Sequence, residues 1–502
     1  MNLKAMLEAA AKHYGGKTAI ALGDRRLSYA ELDEASNKIA NALIKIGVSK
    51  GDRVAMLLPN SLEFVITYFG VVKFGAIAVP LDTKYKVNEL ASLFDDSQPR
   101  VLVTESPFLE PLVPVLPRFN YIEHIIDLSS KHRGRFLSYQ EIIATSSTQK
   151  VDVEPEPEDI ANIAYTSGPT LRPRGVMVSH QHLVMNAAIS ADKFRQTTED
   201  VAILFALPLH HVVGLEAVLL TSISKGSTVV MLPGLSISGL METIEKERAT
   251  IFMGVPFIFI LMVHMAEVEG IKHDLSSLRL CCAGGAPMPT NIMKRFKQLY
   301  SLDIAQFWGL TEVTARVTSQ PADGTGKLGS VGKALPGWKV KVVEDNGKEL
   351  PLNQSGEIIV SGPIMKGYYN NPRATAEAIK NGWLYTGDIG RVDENGELFI
   401  LGRKKEMIIA KGQNIYPSDI EDVLYTHPKV AEAAVVGIPD ELRGEVIRAV
   451  ISLKAGEAAT EQEIKRFCLE HIANYKVPKQ VIFLDPLPKT ATGKIRKEDL
   501  KK

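Results

Sequence analysis

Cysteine is scarce: there are three in 502 residues, Cys281, Cys282 and Cys468. Two are adjacent and none stands in a ligand spacing such as C-x-x-C, so neither a disulfide framework nor a thiolate metal site is expected. Net charge is absent as well. Lys plus Arg and Asp plus Glu each number 58, which leaves no basic field of the kind that draws nucleic acid. A membrane-spanning run is missing too. The longest apolar stretches are 64–81, interrupted by Lys73, and 251–263, far short of the ~20 residues a span needs. Met1 to Lys12 reads as an amphipathic, Ala-rich helix start without the apolar core and cleavage site of a signal peptide. The last residues, Asp499 to Lys502, carry no peroxisomal or prenylation signal. The expectation is a cytoplasmic protein with no nucleic-acid and no integral-membrane partner.

What is present is an ordinary globular composition in a chain too long for one core, so two or more domains are expected. Residues 27–48 predict a helix: Ser28 and Glu31 have capping-box spacing, and Leu32, Ala35, Ile39 and Leu43 share a face. Arg53–Leu58 predicts a buried strand, 61–74 an apolar helix, and 76–80 and 101–104 further strands. This alternation points to parallel α/β layers. A polar, Pro-containing connector covers 145–158, and a strand at 160–165 follows. After about residue 340 the pattern shifts to short strands with Asn-Gly turns at Glu344–Gly347 and Asp393–Gly396, read as hairpins. Beyond residue 403 a small α+β unit is expected: helices at 418–425 and 460–471, and strands at 430–436, 445–453 and 481–484.

The segment Tyr165-Thr166-Ser167-Gly168-Pro169-Thr170-Leu171-Arg172-Pro173-Arg174-Gly175 combines hydroxyls, a turn after a strand and a guanidinium, which suits phosphate oxygens. Its spacing is not that of a Walker A loop. A polar surface turn is the plain alternative for this loop alone. Further along come Leu207-Pro208-Leu209-His210-His211-Val212-Val213-Gly214, Cys282-Ala283-Gly284-Gly285-Ala286-Pro287, Gln306-Phe307-Trp308-Gly309-Leu310-Thr311-Glu312, Tyr385-Thr386-Gly387-Asp388, Gly402-Arg403-Lys404-Lys405, Lys411-Gly412-Gln413-Asn414, and Pro488-Lys489-Thr490-Ala491-Thr492-Gly493-Lys494-Ile495-Arg496. Glycines in such turns let backbone approach a flat ligand, and Glu312 is a hard oxygen donor suited to Mg²⁺. Each also has a structural reading: His211 as a satisfied core residue, Glu312 as a helix-start acid, and Arg403–Lys405 as a solvated turn.

Taken together, in this order and from Ser28 to Arg496, these motifs resemble the acyl-adenylate-forming enzymes: acyl-CoA synthetases, peptide-synthetase adenylation domains and firefly luciferase. The resemblance implies an α/β fold with a large N-terminal domain of α/β layers carrying a β-rich subdomain, residues 1–402. A small mobile α+β C-terminal domain would span 403–502 and hinge near Lys405. It implies ATP and CoA as substrates with Mg²⁺ at Glu312. Thr166, Ser167, Gly168, Thr170 and Arg174 would hold phosphates; Gly284, Gly285, Ala286, Pro287, Gln306, Phe307, Trp308 and Gly309 would line adenine; Asp388 and Arg403 would take the ribose. Lys494, His211, Thr311 and Glu312 would be catalytic, and Lys411, Gly412 and Gln413 would form the CoA tunnel.

The phosphate loop departs from the family pattern: Pro169 stands for a Thr, Leu171 for a Gly and Arg174 for a Lys, which weakens the expected phosphate grip. The implied activity is ATP-dependent ligation of a carboxylic acid to CoA. The acyl pocket would be Val212, Val213, Val255, Pro256 and Gly309, with a floor left open at Gly309 and no basic side chain for a second carboxylate. A medium- or long-chain fatty acid, or a cyclic or aromatic acid, suits such a pocket. A carrier-protein acceptor and a non-catalytic nucleotide-binding paralogue remain as alternatives, and a homodimer is a candidate assembly.

Overall fold

Local signals seed the first units. Ser28 caps the helix Tyr29–Lys45 through its Oγ, and Glu31 Oε2 accepts the Ser28 N–H at 2.8 Å, closing the capping box. The strand Arg53–Leu57, the helix Leu62–Val72 and the strand Ile77–Pro80 then form a parallel β-α-β unit with Val54 opposite Ala78. The computed structural model describes residues 1–129, 136–166, 174–232, 234–410, 413–440, 444–490 and 493–501.

These strands lie in an eight-stranded sheet ordered Gly367–Tyr368, Arg174–Ser179, Ile160–Thr166, Ile77–Pro80, Arg53–Leu57, Val101–Thr104, His124–Asp127, Phe136–Ser138. Its pleat feeds two cores. Val54, Met56, Ala78, Val101 and Val103 join one, with the helices Tyr29–Lys45 and Leu62–Val72. Ala55, Leu57, Val79 and Leu102 join the other, with the helix Val87–Ser97. Because both faces are covered, the central strands read as unbroken apolar runs.

The first core is shared with a nine-stranded sheet, ordered Lys333–Ala334, Thr318–Ser319, Ile304–Trp308, Leu280–Ala283, Ile251–Gly254, Val201–Leu204, Thr228–Met231, Thr18–Leu22, Arg25–Ser28. From Ile304–Trp308 to Thr18–Leu22 neighbouring strands are parallel. Their carboxyl ends therefore open on one edge, the usual place for a ligand in such sheets.

The β-rich part is a separate sheet of Lys339–Val343, Gly356–Ser361, Trp383–Val392, Ile379–Lys380 and Leu398–Arg403. The turn at Asp393–Gly396 makes the expected hairpin, with Val392 opposite Leu398. The turn at Glu344–Gly347 does not join two full strands. It closes on a single bridge, Val343 to Glu349, because Pro351, which has no N–H, follows at once.

From Ile408 onward the buried side chains form clusters of their own. The sheet of Val430–Asp440, Gly444–Leu453 and Gln480–Phe483 carries the helices Pro417–Leu424 and Glu461–His471 on one face, and packs Leu487 and Leu500 on the other. Among the described residues no helix is long and apolar enough to cross a membrane.

Candidate active site

Of the expected site residues, His211, Gly284–Pro287 and Thr311–Glu312 follow the carboxyl ends of parallel strands. The strand Val201–Leu204 leads to Leu207–Val213, which Asn60 fixes from both sides: its Nδ2 donates to Leu207 O at 2.9 Å, and its Oδ1 accepts the Leu209 N–H at 2.8 Å. His211 is thereby presented at the strand exit. Its Nδ1 accepts the Val213 N–H at 3.3 Å, which leaves the ring proton on Nε2. Burial, with Lys494 and His210 adding to it, pushes its pKa down to about 3, so the ring is neutral at physiological pH.

The strand Leu280–Ala283 ends in Gly284-Gly285-Ala286-Pro287. A Cβ at Gly284 would lie 2.4 Å from the Phe307 ring, so only glycine lets that ring pack. Gly285 has φ +81° and sits exposed beside Lys494, whose Cε would be 3.6 Å from a Cβ there.

Lys494 arrives on a tight return of the chain. Thr490 N–H donates to Lys494 O at 2.7 Å, Lys489 bridges Ile495, and Gly493 holds φ +79°. A Cβ at Gly493 would come 3.4 Å from Val255, so the turn lies against the expected acyl wall. Burial holds the Lys494 pKa below the usual lysine value, and Arg403 adds to this; Asp388 and Glu406 oppose it. Lys489 Nζ caps the Phe257 ring at 3.4 Å and pairs with Glu432 at 2.8 Å, tying the tail to the larger body.

Asp388 is buried, and both its oxygens are engaged. Trp308 Nε1 donates to Oδ2 at 2.8 Å, and Arg403 Nε lies 3.0 Å from Oδ1. Burial raises the Asp388 pKa, against Arg403, Trp308 and Lys494. The register explains Arg403: it is the last residue of its strand and stands directly opposite Asp388. Lys405 is exposed in the turn Lys404–Glu406 that follows.

Thr311 and Glu312 occupy a short turn after Ile304–Trp308. Glu312 Oε1 accepts from the Tyr368 hydroxyl at 2.8 Å, and the Arg174 guanidinium lies 5.4 Å from the Tyr368 ring centre. Tyr368 thus links the candidate metal acid to the end of the phosphate loop. Sequence reading missed it; the only available signal was an aromatic pair after Gly367. No group of three or more His, Cys, Asp or Glu that could hold a metal occurs among the described residues. A lone carboxylate fits Mg²⁺ that arrives mostly ligated by phosphate and water.

Several expectations change. Gln306 is buried, and its Nε2 donates to Ser330 O at 3.1 Å, so its side chain does not face the cleft. Phe307 is buried with its ring packed against Gly284. Gly309 does not leave an open floor: a Cβ there would meet Ala315 O at 1.9 Å and Arg316 Cα at 2.9 Å. Nor is the region free of basic side chains, since Arg316 adjoins Gly309 and is 1% exposed. Two non-glycine residues with positive φ, Thr314 at 59° and Ala315 at 92°, bend the chain inward there.

Val212, Val255 and Pro256 are buried and Val213 half-buried. Ser167, Gly168 and Thr170, with Pro169 and Leu171, and Lys411 and Gly412 lie outside the described residues, while Thr166 and Gln413 are placed only as strand residues. The three cysteines are free and buried, and burial pushes Cys282 up to about 12 and Cys468 up to about 11, which makes them poor nucleophiles.

Comparison with known proteins gives a consistent picture. The family model of the AMP-binding enzyme matches residues 7–369, and that of the AMP-binding enzyme C-terminal domain matches 419–494. The long-chain-fatty-acid–CoA ligase of Bacillus subtilis (strain 168) is 34% identical over 531 aligned residues, covering 99% of this chain and 94% of that protein. The indoleacetate–CoA ligase of Aromatoleum aromaticum is 36% identical over 492, covering 97% and 95%. Among solved structures, the anthranilate CoA ligase AuaEII in complex with anthranoyl-AMP superposes with a TM-score of 0.94 at 30% identity, covering 100% and 96%. ATP-bound MatB from Rhodopseudomonas palustris superposes with a TM-score of 0.92 at 31% identity, covering 100% and 98%.

Proposed function

The chain belongs to the AMP-binding enzyme family, and on that premise we propose that it is an AMP-forming carboxylate–CoA ligase, with ATP, CoA and a fatty, cyclic or aromatic acid as substrates. The observation that carries the reading is the convergence of Lys494 with Gly285, His211 and Asp388, residues far apart in the chain.

In the first half-reaction the acid's carboxylate oxygen attacks the α-phosphorus of ATP and pyrophosphate leaves. Lys494 offsets the charge that gathers on the carboxylate and α-phosphate, and Thr311 and the loop around Thr166–Arg174 donate to phosphate oxygens. Asp388 and Arg403 take the ribose, and neutral His211 gates the acid without carrying charge into the apolar pocket. Mg²⁺, held by Glu312 and the phosphates, would neutralise phosphate charge. In the second half-reaction the CoA thiolate attacks the acyl carbonyl and AMP leaves. We assign residues 403–502 to a lid that turns about Lys405 between the two steps, withdrawing Lys494 and bringing in Lys411–Gln413.

The test is AMP release from ATP and Mg²⁺, with and without CoA, across acids from acetate to long-chain and aromatic. CoA-dependent AMP formation with a clear optimum supports the ligase. Release that ignores CoA but responds to a phosphopantetheinylated carrier protein would replace it with a carrier-protein ligase.

A further inference from the structure

Between the candidate metal acid and the end of the phosphate loop stands one side chain without an assigned role, Tyr368. It is 5% exposed. Its strand, Gly367–Tyr368, pairs with Arg174–Ser179, and Tyr368 stands opposite Val176. Arg174 is two residues from Val176, so it shares that face of the pleat and reaches the ring diagonally; its guanidinium lies 5.4 Å from the ring centre. The hydroxyl leaves this sheet for the turn after Ile304–Trp308, in the nine-stranded sheet, and donates to Glu312 Oε1 at 2.8 Å. Backbone bonds fix both partners. Tyr368 N–H donates to Thr375 Oγ1 at 2.8 Å, Met365 N–H to Glu312 O at 2.8 Å, and Tyr369 N–H to Gly175 O at 2.7 Å. Gly367, at φ +133°, lets the strand pass Thr375, whose methyl would lie 2.8 Å from a Cβ there.

One oxygen of Glu312 is therefore engaged. Oε2 has no hydrogen-bond or ion-pair partner among the described residues, and the residue is half-buried. That asymmetry matters to a metal. Ca²⁺ gathers more oxygens and accepts both from one carboxylate, whereas Mg²⁺ demands a near-ideal octahedron filled mostly by phosphate and water. We propose that Tyr368 is a positioning residue for the metal: it ties down Oε1, leaves Glu312 a one-oxygen ligand through Oε2, and so favours Mg²⁺ over Ca²⁺, while its ring holds the Arg174 guanidinium in place for the phosphates. A partner that orients a ligating side chain is worth about 10–100-fold in metal affinity. The hydroxyl acts only through the metal and the ring only through the phosphates, so the two can be separated. The inference deepens the ligase reading and rests on it.

The experiment is calorimetric titration of the full-length enzyme with ATP as its Mg²⁺ complex, as its Ca²⁺ complex, and free of metal in EDTA. In the wild type the Mg²⁺ complex should bind more tightly than the Ca²⁺ complex by about tenfold or more; this ratio needs no variant to fold. Tyr368→Phe keeps the ring and drops the hydroxyl. Its ratio should fall towards one, with metal-free ATP bound as in the wild type. Tyr368→Leu should weaken metal-free ATP as well, by about fivefold. Equal binding of the two complexes to the wild type, or a ratio unchanged in Tyr368→Phe, would overturn the inference while leaving the ligase intact. So would a loss for metal-free ATP in Tyr368→Phe as large as for the Mg²⁺ complex, which would make the hydroxyl a plain tie between the sheets. Metal-free ATP bound normally by Tyr368→Leu would overturn the part given to the ring. If ATP binds in none of the three forms, the ligase reading fails and the inference with it.

Discussion

The two ends of the cleft handle buried charge in opposite ways. At the nucleotide end Asp388, Trp308 and Arg403 are mutually satisfied, and the lysine that completes them comes from a separately packed body. Behind His211, Glu216 and Arg316 are enclosed in the larger body, and neither is fully paired. On the proposed reading the first arrangement would hold the nucleotide and must also let go of it. The second is fixed in the folded core, where its cost falls on stability.

The largest effect should separate these ends most sharply. Lys494→Ala is expected to cut adenylation about a hundredfold or more, while a supplied acyl-adenylate is still converted to acyl-CoA; quench-flow of the two half-reactions reads this, and unchanged adenylation would break the contrast. Glu216 makes the opposite kind of prediction, about stability. Burial pushes its pKa up to about 7 from 4.5. The unfolded chain gives up this proton at lower pH than the folded one, so stability falls as pH rises from about 4.5 through about 7. Glu216→Gln removes that loss. Its melting temperature should gain on the wild type between pH ~5 and pH ~8, by up to about 3 kcal/mol of stability; a constant gap would mean that Glu216 is not desolvated.

Trp308→Phe keeps a flat ring but drops the indole donor to Asp388. A rise of about tenfold in the KM for ATP is expected, with weaker discrimination against deoxy-ATP. A rise without that change in discrimination would assign Trp308 to adenine stacking alone. The smallest effect belongs to the tie between the bodies. Lys489→Ala removes the contacts to Phe257 and Glu432, and should slow adenylation by about fivefold or less while sparing thioester formation.

The turns proposed to hold the nucleotide were legible because each is written in a short contiguous run. Thr386-Gly387-Asp388 and Thr490–Lys494 each need only their own turn, and Ser28 with Glu31 announces the helix it caps. The acyl end was not. Arg316 sits in an unremarkable run, Ala315-Arg316-Val317, and its burial depends on Phe194, Ala217 and Phe307, which come from three distant segments. One signal was available: Glu216 is the lone carboxylate in the apolar octet Val213–Leu220. Gly309 misled for the same reason, since its missing side chain suggested space that the strained turn at Thr314–Ala315 fills.

Arg403 closes one strand and opens the turn on which the lid would swing. The clasp proposed for the ribose therefore lies two peptide bonds from the proposed axis at Lys405. On that proposal a rotation about Lys405 would pull on the clasp, so the motion that exposes the adenylate to CoA would also loosen AMP. Product escape would then need no signal of its own, being the recoil of the step that formed the thioester.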